Sequence, residues 1–203
     1  MPRAADASET TTLRTLNKLP KAPASLRDST LIMVDYQRTY TQGTMRLVGW
    51  RESLNAAADL LKRTRAAGGT VIHVQNDGGP GTPYDVRKKI GQIMPEVAPV
   101  RGEAVVTKKV PNAFVGTDLG KLVDRAGHRN VIIAGWMTHM CTLFTTEGAF
   151  LRGNRPTVVA DASATRPLPS VNGDLTADQV HRSALATIGD LYGVVVRKGN
   201  TLK

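Results

Sequence analysis

An α/β domain is predicted for this chain, a three-layer α/β/α sandwich around a mostly parallel six-stranded sheet. Three observations carry the reading. Six short apolar runs recur along the sequence, and they alternate with segments of helical period. The runs are also apolar at consecutive positions rather than at every second one. Consecutive apolar positions mean strands buried on both faces, the condition of a parallel sheet covered by helices on each side.

The elements follow in order. Residues 1–28 are rich in Thr, Ala, Pro, Lys and Arg without a sustained apolar period, and read as an N-terminal arm of extended chain outside the core. Residues 29–203 read as one domain. Leu31-Ile32-Met33-Val34 is a buried-strand run that ends in Asp35. Leu54, Ala57, Ala58 and Leu61 keep the spacing of an amphipathic helix, which Gly68-Gly69 stops. Thr70 to Gln75 is the second strand and Ala104 to Thr107 the third. Leu119, Leu122 and Val123 mark a short helix leading to Gly127, and Val131 to Ala134 is the fourth strand. His139 to Arg152 reads as a helix closed by Gly153-Asn154, and Thr157 to Ala160 as the fifth strand, ending in Asp161. Thr176-Ala177-Asp178-Gln179 is a capping box, after which Val180, Ala184 and Ile188 continue one helix face. Val194 to Val196 completes a sheet of Rossmann-like type.

Three connections exceed a simple turn: Tyr36 to Arg51, Asn76 to Glu103 and Ala162 to Thr176. Each leaves the C-terminal end of a strand, where open α/β sheets place their ligands. The chain has 203 residues, 27 Lys+Arg against 17 Asp+Glu, and a formal net charge of +10. No apolar run approaches the ~20 residues of a membrane span, and the N-terminus has no secretory apolar core. A single cysteine makes neither an internal disulfide nor a multi-cysteine zinc site, so a reducing, cytoplasmic setting is expected. The charge raises a nucleic-acid reading. Against it, the basic residues are spread through arm, loops and C-terminus, without the aromatic–basic interleaving of RNA readers.

Chemistry is sought at the strand ends. Cys141 follows the fourth strand and is expected in the first turn of the next helix, where free N–H groups and the helix dipole lower a thiol pKa. The same N–H groups can hold an oxyanion. Asp35 ends the first strand, in place for a general base. Lys108 ends the third, where an ammonium can hold a carboxylate ionised. Each has an inert alternative: a buried core cysteine, a turn-capping aspartate, a solvated lysine. An acid, a lysine and a cysteine at three strand ends of one sheet make chance unattractive.

Four stretches then resemble a known family, the isochorismatase-like cysteine hydrolases. Leu31 to Gln37 is similar to its apolar strand ending in D-x-Q. Val106-Thr107-Lys108 with Asn112 to Leu119 resembles its lysine motif, and the five-residue spacing to Ala113 selects Lys108 over Lys109. Ile133 to Cys141 resembles the nucleophile motif and Val158 to Ala162 the strand that follows. The resemblance implies Cys141 as nucleophile, Asp35 as its base and Lys108 as electrostatic support. It also implies a cis peptide at Trp136–Met137, with the N–H groups of Met137 and Cys141 as oxyanion hole. Gln37, Tyr40, Trp50, Phe114, Trp136 and His139 are the pocket candidates. The implied reaction is hydrolysis of a C–N bond in a small amide, lactam or ureido compound through a thioester, an antibiotic amide or lactam being one such substrate.

Two departures are visible. His139 stands where the family commonly has Asp. The loop after the second strand, Asn76 to Asp85, lacks the His of a nicotinamidase metal cluster, so no metal and no cofactor are expected. The other readings are isochorismatase-type vinyl-ether hydrolysis and a non-catalytic basic binding protein. A small-molecule substrate and a homodimer or homotetramer are expected, with neither nucleic acid nor membrane as partner.

Overall fold

A computed structural model describes residues 10–203; the first nine residues of the expected arm lie outside the described residues. Six parallel strands form one sheet: β1 (Thr30–Val34), β2 (Thr70–Asn76), β3 (Ala104–Lys108), β4 (Asn130–Gly135), β5 (Arg155–Val159) and β6 (Val194–Val196), in the order β3-β2-β1-β4-β5-β6. The helices are α1 (Leu13–Leu16), α2 (Trp50–Ala66), α3 (Leu119–Ala126), α4 (Leu143–Leu151) and α5 (Ala177–Thr187). No helix among the described residues is long and apolar enough to cross a membrane.

β1 shows why consecutive apolar residues were required. Leu31 and Met33 face one core, with Leu54, Leu60, Leu61 and Trp136. Ile32 and Val34 face the other, with Ile72, Val123, Ile133 and Ile188. Each fully buried Leu or Ile contributes about 1.5–3 kcal/mol, so a polar residue on either face of β1 is strongly disfavoured.

The strand order reverses between β1 and β4, which makes their carboxyl ends the crevice of the sheet. Register then decides what meets there. Val34 pairs with Val74 on one side and Gly135 on the other, and Asn76 pairs with Lys108. A Cβ on Gly135 would lie 2.3 Å from the Val34 carbonyl oxygen, so only glycine lets β4 leave the sheet this close to Asp35.

Two local expectations are revised. The helix expected from His139 opens instead as a π turn, Thr138–Thr142, before α4 begins at Leu143. A wider turn was not legible because apolar spacing does not count residues per turn that finely. Within the segment expected to stand outside the core, Leu13–Leu16 form a short helix capped by Thr12, while Ala24 and Leu26 are buried. Ala24 N–H donates to Thr157 Oγ1 (2.9 Å) and Leu26 N–H to the Lys203 carbonyl (2.6 Å). Single apolar residues among polar ones carry no period, so only tertiary docking identifies them as core.

Candidate active site

Lys108 is the centre of the constellation. It ends β3, its side chain is fully buried, and its Nζ lies 2.7 Å from Asp35 Oδ2, 3.3 Å from Cys141 Sγ and 3.5 Å from Asn76 Oδ1. Asp35 follows β1, is fully buried, and has a left-handed φ of +53°. Short polar residues tolerate that conformation better than branched ones. Its Oδ1 has no hydrogen-bond partner among the described residues. Cys141 is 7% exposed inside the π turn.

Burial dominates the electrostatics. It pushes the Asp35 carboxyl above its usual range, against the pull of the Lys108 ammonium. Burial disfavours the Lys108 charge, but Asp35 and Cys141 together outweigh it and hold Lys108 protonated. Burial, and then the Asp35 charge, push the Cys141 thiol up to about 12. The expectation of a lowered thiol pKa at a helix start is therefore corrected: desolvation and a neighbouring carboxylate outweigh the turn's N–H groups. Asp35 thus combines a raised proton affinity with an oxygen that has no hydrogen-bond partner among the described residues.

The turn that carries Cys141 is clamped from two sides. The Trp136–Met137 peptide is cis. Thr138 N–H donates to the Ala164 carbonyl (3.0 Å), and Thr138 Oγ1 lies 2.9 Å from His181 Nδ1. Met137 N–H meets no acceptor among the described residues. Trp136 is fully buried, donates Nε1–H to Ser53 Oγ (2.6 Å), and meets Tyr36 and Tyr40 edge-on at 4.9 and 6.0 Å.

The remaining pocket candidates divide. Tyr40 is buried between Trp136 and Tyr84. Gln37 is buried and fully engaged: its Nε2 donates to the Asn76 and Gly91 carbonyls (2.9 and 2.6 Å) and its Oε1 accepts from Asn76 N–H (2.8 Å). With both amide hydrogens used, Gln37 fixes the β2 end rather than offering itself to a ligand. Trp50 opens α2 with the Arg51 guanidinium 4.3 Å over its ring, and Phe114 packs on the core face opposite Trp136 under Arg152, at 5.4 Å. His139 is half-buried, its Nδ1 2.5 Å from Thr165 Oγ1, and burial with the nearby Arg166 keeps its pKa below the ordinary value.

Sequence reasoning missed Asn76, Ser53 and His181. Asn76 was legible as a polar strand end. His181 had no such signal, because its contact with Thr138 spans 43 positions.

Residues 29–197 match the family model described as Isochorismatase domain. The secreted isochorismatase effector Isc1 of Verticillium dahliae is 32% identical over 184 residues, 90% of this chain and 95% of its own. A streptothricin hydrolase of Streptomyces noursei is 32% identical over 179 residues, 87% of this chain and 71% of its own. The crystal structure of an isochorismatase from Pseudomonas putida KT2440 superposes with a TM-score of 0.93 at 34% identity, covering 96% of this chain and 100% of that one. Amidohydrolases of maleamate and of ureidoacrylate stand among the further relatives. With this domain match, these identities and a buried Asp–Lys–Cys cluster at the sheet's switch point, the chain belongs to the isochorismatase family of hydrolases.

Proposed function

We propose that this protein hydrolyses a C–N bond of a small amide, lactam or ureido compound, with Cys141 as nucleophile, Asp35 as general base and acid, and Lys108 as the fixed charge between them. The observation that carries the reading is the single buried ammonium of Lys108 within 2.7 Å of the carboxylate and 3.3 Å of the sulfur. Cys141 rests as a thiol, so attack needs a base, and Asp35 has an unpaired oxygen and a raised proton affinity.

The steps balance as follows. The thiol proton passes to Asp35 as sulfur bonds to the carbonyl carbon, while Lys108 offsets the charge that moves to sulfur. The carbonyl oxygen, now an oxyanion, lies against the N–H groups of Met137 and Cys141, the first of which has no other acceptor. Asp35 returns the proton to the departing nitrogen, the C–N bond breaks and an amine leaves. Asp35 then takes a proton from water, whose oxygen attacks the thioester, and the thiol is restored as the acid leaves.

Intact-mass analysis with streptothricin and with simple conjugated amides tests the reading. An acyl adduct on Cys141 that turns over in the wild type and is absent in Cys141→Ala is expected. Full turnover by Cys141→Ala would defeat the assignment.

A further inference from the structure

The loop between β2 and the turn at Lys89–Gly91 is organised around Arg87. Its guanidinium donates to both carboxylate oxygens of Asp77 (2.9 and 3.0 Å), and its Nε donates to Asp85 Oδ1 (2.6 Å). A planar fork bound to two carboxylates fixes its surroundings far more tightly than a lysine would. The loop is also tied to the catalytic end of the sheet. Asp77 N–H donates to the Lys108 carbonyl (3.0 Å) and Gly78 N–H to the Tyr84 carbonyl (3.4 Å). The fold-back is close: a Cβ on Gly78 would lie 3.4 Å from Tyr84 Cβ and 2.7 Å from Thr82 Oγ1.

Tyr84 is thereby held beside the β2 and β3 ends. Its half-buried ring meets Tyr40 edge-on at 5.8 Å, and Tyr40 meets Trp136, the residue before Met137, at 6.0 Å. The two phenols face each other in the field of Asp35 and Cys141, and burial with that field keeps the Tyr84 hydroxyl protonated. The neighbouring cations are both engaged, Arg87 by two carboxylates, Asp77 and Asp85, and Lys108 by Asp35, so neither is free to pair with an anionic acyl group. The hydrogen bond between the two hydroxyls acts to raise the Tyr40 pKa and to lower that of Tyr84, so Tyr40 donates and Tyr84 accepts, which leaves the Tyr84 O–H for another acceptor.

Resting on the amide reading above, we propose that Tyr84 is a specificity-determining residue. It donates its O–H to a planar, uncharged, carbonyl-bearing acyl group of the substrate, and Arg87 is its positioning residue. A flat acyl group suits an aromatic wall, and one without a negative charge suits a wall whose Arg87 and Lys108 are already held by carboxylates.

Two small thiol reagents test this on the full chain, with Cys141 modification followed by intact mass. Iodoacetamide carries an amide carbonyl; iodoethane carries no oxygen acceptor at all. Tyr84→Phe is expected to slow iodoacetamide about tenfold, one hydrogen bond's worth, while the second reagent changes by less than about twofold. Arg87→Ala should give the same selective loss and add nothing in the Tyr84→Phe background. Equal effects on both reagents, no effect on either, or a wild-type Cys141 that reacts with neither would overturn the proposal. Selective wild-type alkylation that depends on Tyr84, with no acyl adduct from any amide, would support the contact and overturn the amide reading instead.

Discussion

Asp35 bears on the cysteine in two opposed ways. Its charge raises the thiol pKa, yet in the reaction we propose its unpaired oxygen takes the thiol proton. Asp35→Asn therefore separates reactivity from catalysis. Asparagine tolerates the left-handed backbone at this position, so the turn is retained. Hydrolysis is expected to fall by about 10²–10⁴-fold with the base gone, while the pH midpoint of Cys141 alkylation shifts downward because Lys108 then faces the sulfur alone. A midpoint that stays or rises would contradict this electrostatic account. Lys108→Met is the complementary test. It leaves a buried carboxyl without its cation, and breaking such a pair costs about 3–5 kcal/mol. A carboxyl whose folded pKa is raised is destabilising when ionised, so this deficit is small below about pH 4 and grows as pH rises. Urea unfolding at two pH values measures it.

At the scale of elements, Glu103 is the joint between α2, β2 and the start of β3. Its carboxylate accepts from Arg65 Nε and Nη2 (2.7 and 2.8 Å), from Val100 N–H (3.0 Å), and from His73 Nε2 (2.8 Å). Burial lowers the pKa of His73, which is therefore neutral at pH 7 and donates its Nε2–H. Burial opposes ionisation of Glu103, but these donors outweigh it and bring its pKa down to about 2. A lowered carboxylate pKa stabilises the fold above the ordinary value of 4.5, and that contribution is lost as pH falls from there toward 2. Glu103→Gln should accordingly unfold more easily at pH 7 and show a flatter acid limb between pH 4.5 and 2, read by melting temperature. The capping box of α5 is a second local device, with Gln179 N–H on Thr176 Oγ1 (3.2 Å) and Thr176 N–H on Gln179 Oε1 (2.8 Å). Thr176→Ala should cost about 1 kcal/mol. Because α5 carries His181 against Thr138, that loss reaches the turn that carries Cys141.

For the whole molecule, three of the arginines behind the excess positive charge serve as internal cross-links. Arg63 of α2 donates to the carbonyls of Gly199 and Leu202, Arg14 to that of Leu191 (2.9 Å), and Arg129 to that of Gly153 (2.8 Å). Neutral carbonyls accept these bonds, so they leave the +10 uncompensated. The N-terminal segment and the C-terminus close the same core: Leu26 is 3% exposed and Leu202 2% exposed, and Leu26 N–H reaches the Lys203 carbonyl. Leu26→Ala is expected to cost about 2–5 kcal/mol, far more than an arm residue outside the core would. A chemical-denaturation midpoint within error of wild type would show that this docking contributes nothing to stability.

The sequence by itself determined the six strands, the turn glycines and the three chemistry-bearing strand ends, because backbone pairing and two-sided burial leave a local pattern of apolar runs. Asp35, Lys108 and Cys141 were legible for the same reason: each ends, or closely follows, such a run. Only the tertiary structure decided that Gln37 is spent on the β2 end, that His181 reaches Thr138, that Ala24 and Leu26 belong to the core, and that the cysteine rests as a thiol. Those properties depend on which surfaces exclude water and which distant groups come within hydrogen-bond reach. Neither is encoded in the spacing of residues along the chain.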